Sequence, residues 1–182
     1  MPCEISQDRR ALSQMLYQVG KVGRRNGMEH RRFGQREPGA VYRDRVGAYA
    51  VILDKAGNVA LVEAPAAGGP ERGLFLPGGG IEPGETLEEC LRRECLEELG
   101  REIELKGPLC TGEEYLFAPS DRRHLHVTGY CYRVSLGARV QEPIEQDHVL
   151  KWVPAEQGAA DMFLNYQSWA VRLAWEERMQ EK

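Results

Sequence analysis

Three glutamates, Glu94, Glu97 and Glu98, close the segment GGGIEPGETLEECLRRECLEELG that runs from Gly78 to Gly100. On a helix turning about 100° per residue, Glu98 falls about 40° and Glu97 about −60° from Glu94, so the three acids share one side. Leu87, Leu91, Cys95 and Leu99 trace an apolar stripe next to them. A salt-bridged surface helix would account for Glu88 with Arg92 and for Glu89 with Arg93, which have the favourable i, i+4 spacing. It does not account for Glu94 and Glu98, a like-charge pair at that spacing that costs a helix about 0.2–0.5 kcal/mol. All three acids also sit toward the negative end of the helix dipole. A divalent cation is the simplest offset, and hard carboxylate oxygens suit Mg²⁺ or Mn²⁺. The preceding glycines let backbone come close to an ion or a phosphate and offer carbonyl ligands. A carboxylate cluster beside such a loop points to phosphoryl chemistry.

The elements that must position these groups are legible to different degrees. Thr86 and Glu89 form a capping box at the start of the glutamate helix, and Gly100 supplies its stop. Before it, VGAYAVILD from Val46, the turn KAGN and the strand VALVEA read as a hairpin. A loop, PAAGGPERG, then leads to a short strand LFLP and the glycine run. After the helix come EIELKGPLC, EEYLFA and HLHVTGYCYRVSL, three strand-like runs, the last two joined by PSDRR. The polar loop GARVQEPIEQDH precedes a short strand VLKWVP. A closing helix is expected from about Ala155 to about Arg178, because Phe163, Tyr166, Ala170, Leu173 and Ala174 recur at helical spacing. A further short helix is expected over 8–19. The class is α/β (α+β), a mixed β-sheet with helices packed on it.

Composition sets the limits. With 182 residues, 42 % of them hydrophobic, the chain can build one sizeable core. No apolar run approaches the roughly 20 residues of a membrane span, and the first residues lack the apolar core of a secretory signal. Cys3, Cys90, Cys95, Cys110 and Cys131 are odd in number with no C-x-x-C pair, which argues against a disulfide framework or a zinc ribbon. The expected location is the cytoplasm. Residues 1–45 hold ten Lys/Arg against five acids, while the whole chain carries −4. That basic stretch has few aromatics and no nucleic-acid motif, so it reads as a solvated or subunit-contacting extension. The domain proper is placed at 46–182.

The spacing of Gly79, Glu85, Arg93, Glu94, Glu97, Glu98 and Gly100 resembles the Nudix signature, G-x5-E-x7-R-E-U-x-E-E-x-G-U, with U bulky and aliphatic. Cys95 and Arg101 depart from the two U positions. YRDRVGAYAVI, FLPGGGIEPGET and EPIEQDHVLKWVP are similar to bacterial members of that family. The resemblance implies a Nudix-like α/β/α sandwich. It also implies hydrolysis of a nucleoside diphosphate linked to another moiety, by attack of water on phosphorus, in nucleotide housekeeping. Glu94, Glu97 and Glu98 would hold Mg²⁺ or Mn²⁺, helped by the carbonyl of Gly79. Arg93 would orient a glutamate and Glu85 would brace the loop. The alternative is a Nudix-fold nucleotide-binding or regulatory module without turnover; intact acids favour the enzyme.

The general base is either a helix acid, Glu97 or Glu98, or an acid of the later loop: Glu142, Glu145 or Asp147, with Glu145 taken as the candidate. His124 and His126 alternate on one strand face and read as hydrogen-bonded strand histidines, since no third metal ligand is evident. Tyr49, Tyr115 or Phe117 could stack on a base, and Arg122, Arg123 or Arg72 could contact polyphosphate. Trp152, Trp169 and Trp175 read as core or subunit contact. The expected partner is a nucleotide-type small molecule, with no membrane and no nucleic acid; a homodimer is compatible with the sequence.

Overall fold

The computed structural model describes residues 23–25, 28–66, 71–118 and 122–181. The helix expected over 8–19 lies outside the described residues. The strands are β1 Gly23–Arg25, β2 Met28–Phe33, β3 Tyr42–Val51, β4 Asn58–Pro65, β5 Arg72–Phe75, β6 Gly78–Gly80, β7 Arg101–Ala118, β8 Arg123–Arg139 and β9 Val149–Pro154. The helices are α1 Leu87–Leu99, α2 Ala155–Asp161 and α3 Asn165–Gln180. Six strands form a mixed sheet in the order β1-β2-β7-β8-β3-β6, and three form a second sheet in the order β5-β4-β9.

Strand β3 shows why the layers form. Its second half, Gly47–Val51, is buried on both faces, which is the pattern of a strand covered on both sides. Tyr49 and Val51 pack with Tyr166, Trp169 and Val171 of α3. Ala48, Ala50 and Ile52 pack with Cys90, Leu91, Cys95 and Leu99 of α1. Four alanines on the α1 side, Ala48, Ala50, Ala60 and Ala64, leave room for that helix to lie close to the sheets. On the α3 side the close approach falls at Gly112 and Gly129, where an added Cβ would meet the Tyr166 side chain at 2.5 and 2.2 Å. The result is the expected α/β/α sandwich.

Four expectations from the sequence change in detail. Strands β3 and β4 do not form a simple hairpin. They belong to different sheets and are linked by an isolated bridge, Leu53↔Val59, because both carry apolar residues on both faces and each is buried in its own sheet. The runs 102–110 and 113–118 form one strand, β7, whose pairing with β8 shifts register at Arg101/Ile103, Leu105/Gly107 and Pro108/Cys110. The closing helix divides at Met162, which is extended, so Phe163 and Leu164 lie between α2 and α3. The sheet also begins before residue 46, since β2 pairs in parallel with β7 and β3 starts at Tyr42.

The start of α3 has no side-chain cap of its own. Glu114 of β7 substitutes, accepting from Asn165 Nδ2 at 2.7 Å and from the Tyr166 amide at 3.2 Å. Burial pushes its carboxyl up to about 7 despite these donors. The folded state therefore holds a proton that the unfolded chain releases above about pH 4.5, so this group's contribution falls as pH rises from about 4.5 to about 7. The expected slope is up to about 1.4 kcal/mol per pH unit. Denaturation of wild type and Glu114→Gln across that range should show the slope reduced in the variant; equal slopes would contradict this account.

Candidate active site

Helix α1 is built as its sequence dictates. The Glu89 amide donates to Thr86 Oγ1 at 3.2 Å and the Thr86 amide to Glu89 Oε2 at 2.8 Å, completing the capping box. Gly100 closes the helix in the left-handed region, at φ 65°. The expected Glu88–Arg92 and Glu89–Arg93 pairs do not form, because Glu89 is engaged by the cap and Arg92 donates to the Ile103 carbonyl at 2.9 Å.

Arg93 instead becomes the hub of the acids. Its Nε and Nη2 bind both oxygens of Glu85 at 2.8 and 3.0 Å. Its Nη1 donates to Glu94 at 2.8 Å and Glu97 at 3.2 Å, and its Nη2 to the Gly80 carbonyl at 3.2 Å. Glu85 in turn accepts from the Glu82 amide at 3.0 Å, which joins Arg93 to the loop before α1. The Arg93 hydrogen bond, followed by that amide, holds the Glu85 carboxyl down at about 2. Arg93 thus offsets part of the acid repulsion that the sequence alone left to a cation.

Glu98 is treated differently. It is only 7 % exposed, and its one hydrogen bond is from the Gly78 amide to Oε2 at 2.9 Å. Burial pushes its carboxyl up to about 8, with the Gly78 amide opposing and Glu94 and Glu97 adding to the rise. Burial also raises Glu94, against the pull of Arg93. At position 79 a Cβ would stand 2.3 Å from Glu94 Oε1, so any other residue there would push that carboxylate out of place. The Gly79 carbonyl accepts from the Cys90 thiol at 3.5 Å.

The loop after β8 is fastened to the C-terminal end of α1, whose last carbonyls need partners. Gln141 Nε2 donates to the Leu96 carbonyl at 3.2 Å and the Ile144 amide to the Glu97 carbonyl at 2.8 Å. Arg72 holds the Asp147 carbonyl at 2.7 Å. This places Glu145 in contact with His148, whose Nδ1 lies 3.8 Å from Glu98 Oε1. One donor atom each from Glu98, Glu145 and His148 falls within 4.8 Å of the others. Of the three loop acids, Glu145 alone is in this group; Glu142 pairs with Arg139 at 2.6 Å. His148 was not singled out in the sequence. Burial, then Arg72, lowers its pKa and favours the neutral, ligating ring.

A cavity of about 420 Å³ opens at this point, lined by Gly78, Gly79, Gly80, Glu94, Glu98, Glu145, His148, Tyr49 and Arg45, and by Phe75, Phe163 and Leu164 farther along. Tyr49 is therefore at the site. Tyr115 is not among the lining residues: it stacks on His126 with centroids 4.4 Å apart, in a cluster where Glu113 binds His30 and Arg32. His126 also pairs with Asp44 at 2.8 Å, so the reading of it as a hydrogen-bonded strand histidine fits. Arg122 adopts positive φ between β7 and β8 and does not line the cavity either. Phe75 and Phe163 pack together 5.5 Å apart, a pairing no sequence period signals. Trp169 is core, whereas Trp152 is 42 % exposed.

Glu98, Glu145 and His148, with the Glu94 carboxylate lining the same cavity, offer hard oxygen donors of the kind that suit Mg²⁺ or Mn²⁺ and an imidazole that suits Mn²⁺ as well. Two layers of helices about mixed sheets, with this site between a glycine strand and an acidic helix, match known proteins. The NUDIX domain family model matches residues 43–173, and the chain belongs to that family. It is 58 % identical over 40 residues to the nucleoside triphosphatase NudI of Enterobacter sp. (strain 638), a segment covering 19 % of this chain and 28 % of that one. NudI of Escherichia coli O1:K1 / APEC is 55 % identical over 38 residues, 18 % of this chain and 27 % of that one. In fold it is similar to a NUDIX hydrolase from Nitrosomonas europaea, with TM-score 0.58 and 20 % identity over 72 % of this chain and 88 % of that one. It is likewise similar to the MutT NUDIX hydrolase from Burkholderia pseudomallei, with TM-score 0.54 and 23 % identity over 72 % of this chain and 98 % of that one.

Proposed function

We propose that this protein hydrolyses a pyrophosphate linkage in a nucleoside di- or triphosphate derivative, by attack of water on phosphorus. The observation that carries this reading is the meeting of Glu94 and Glu98 with the Gly78–Gly80 strand in one cavity of about 420 Å³. Glu94, Glu97, Glu98 and the Gly79 carbonyl are the residues that would hold Mg²⁺ or Mn²⁺. Such an ion, when bound, neutralises charge on phosphate oxygens and lowers the pKa of water.

The chain's own residues supply position and proton handling. Arg93 fixes the carboxylates of Glu94 and Glu97 and ties both to the loop through Glu85. Glu145, beside Glu98 and His148, is the group we assign to take a proton from the attacking water; it is carried on a loop held by α1 itself. The NudI similarity, short as it is, makes nucleoside triphosphates the first substrates to test. No described helix is long and apolar enough to cross a membrane.

The test is a panel of nucleoside triphosphates, dinucleoside polyphosphates and nucleotide sugars, assayed for phosphate and pyrophosphate release with Mg²⁺, Mn²⁺ or chelator. Metal-dependent release from at least one class, abolished by chelator, is expected. Nucleotide binding without turnover under all conditions would instead mark a binding module.

A further inference from the structure

Among the described residues that line the cavity, Arg45 of β3 is the one arginine or lysine. Its surroundings differ from those of the other arginines at the site. Arg93 is saturated by three carboxylates and a carbonyl, and Arg72 is held by Glu63 and the Asp147 carbonyl. Arg45 is exposed and makes no ion pair or hydrogen bond with a side chain among the described residues. Its guanidinium lies along the glycine strand: a Cβ built on Gly80 would stand 3.6 Å from Arg45 Nε and 3.8 Å from Nη2. The neighbouring glycine faces the acids, with a Cβ on Gly79 meeting Glu94. Strand β6 therefore separates the carboxylates from one unpartnered guanidinium, with no side chain of its own in between.

We propose that Arg45 binds a phosphate group of the substrate other than the one held at the carboxylates, so that the site takes a chain of three phosphates lying across the glycine strand. This rests on the function proposed above. A guanidinium presents a planar fork of donors that matches phosphate oxygens in pairs. The acids and the apolar lining from Leu116, Leu125, Val127 and Leu164 offer no second cation for that purpose. The selected substrates are nucleoside triphosphates or longer polyphosphates, over compounds with a single diphosphate bridge.

The experiment is calorimetric binding of inorganic tripolyphosphate and of pyrophosphate to the full chain with Mg²⁺, for wild type, Arg45→Gln and Arg45→Lys. Arg45→Gln is expected to weaken tripolyphosphate binding about ten-fold or more, as loss of a charged hydrogen-bond pair does. Pyrophosphate binding should change much less, the Mg²⁺-induced rise in melting temperature should persist, and Arg45→Lys should recover part of the loss. With a triphosphate substrate, KM should rise more than kcat falls. Equal effects on both anions, or none, would overturn the proposal. Arg45-dependent tripolyphosphate binding in a chain that hydrolyses no nucleotide would keep the phosphate site and reject the hydrolase reading. Turnover with unchanged KM in Arg45→Gln would do the reverse.

Discussion

Glu98→Gln is expected to lower turnover by at least about a hundred-fold, because it removes a proposed metal ligand where charge neutralisation would supply most of the catalysis. The same change should leave the metal-free protein at least as stable as wild type at pH 7. Glu98 is buried and its carboxyl is pushed up to about 8, so the folded metal-free protein holds it protonated at neutral pH. A glutamine keeps the shape and an acceptor for the Gly78 amide, which now binds Glu98 Oε2. The pH dependence fixes the sign. With a folded pKa above the unfolded value, wild type loses stability as pH rises from about 4.5 to about 8, and the glutamine variant does not. The variant should therefore already be the more stable of the two at pH 7, with the full difference reached above about pH 8. Added Mg²⁺ should raise the melting temperature of wild type and much less that of the variant, since only a ligand bound to the folded state stabilises it. A variant that melts well below wild type without metal and still turns over would show a structural role instead.

Arg93→Gln is expected to abolish activity by a different route, with a loss of at least about a hundred-fold from misplaced carboxylates. Arg93 joins Glu85, Glu94, Glu97 and the Gly80 carbonyl, so its removal frees two site acids and the loop before α1 together. Here the metal-free protein should also melt lower, in contrast to Glu98→Gln. Arg93→Lys retains the charge but not the fork, and should be nearly as inactive. Full activity in the lysine variant, measured beside its thermal melt, would show that charge alone matters at this position.

What could be read in advance was whatever a single helix fixes by spacing. Glu94, Glu97, Glu98 and Arg93 share α1, and the cap residues Thr86, Glu89 and Gly100 carry their own local chemistry, so their arrangement followed from the order of residues. By spacing alone Arg93 pairs with Glu89, whereas in the fold the cap takes Glu89 and leaves Arg93 to the acids. His148 and Arg45 were missed for another reason. His148 reaches Glu98 only because a loop binds the end carbonyls of α1, and Arg45 reaches the cavity only because β6 lies against β3. Neither contact has a period or a composition. Tyr115 was the converse case: as a strand aromatic it could face either side of the sheet, and it faces His126. The separation of β3 from β4 was hidden because two strands apolar on both faces read alike whether they pair with each other or enter different sheets.

The most direct test of the central claim is hydrolysis of an accepted nucleotide in isotopically labelled water with Mg²⁺, read by mass spectrometry of the products. Water activated at the glutamate site and attacking phosphorus predicts one labelled oxygen in a phosphate or pyrophosphate group of a product, with label incorporation lost in Glu98→Gln. Label on a sugar carbon, or a covalent phosphoryl-enzyme in place of directly labelled product, would contradict it.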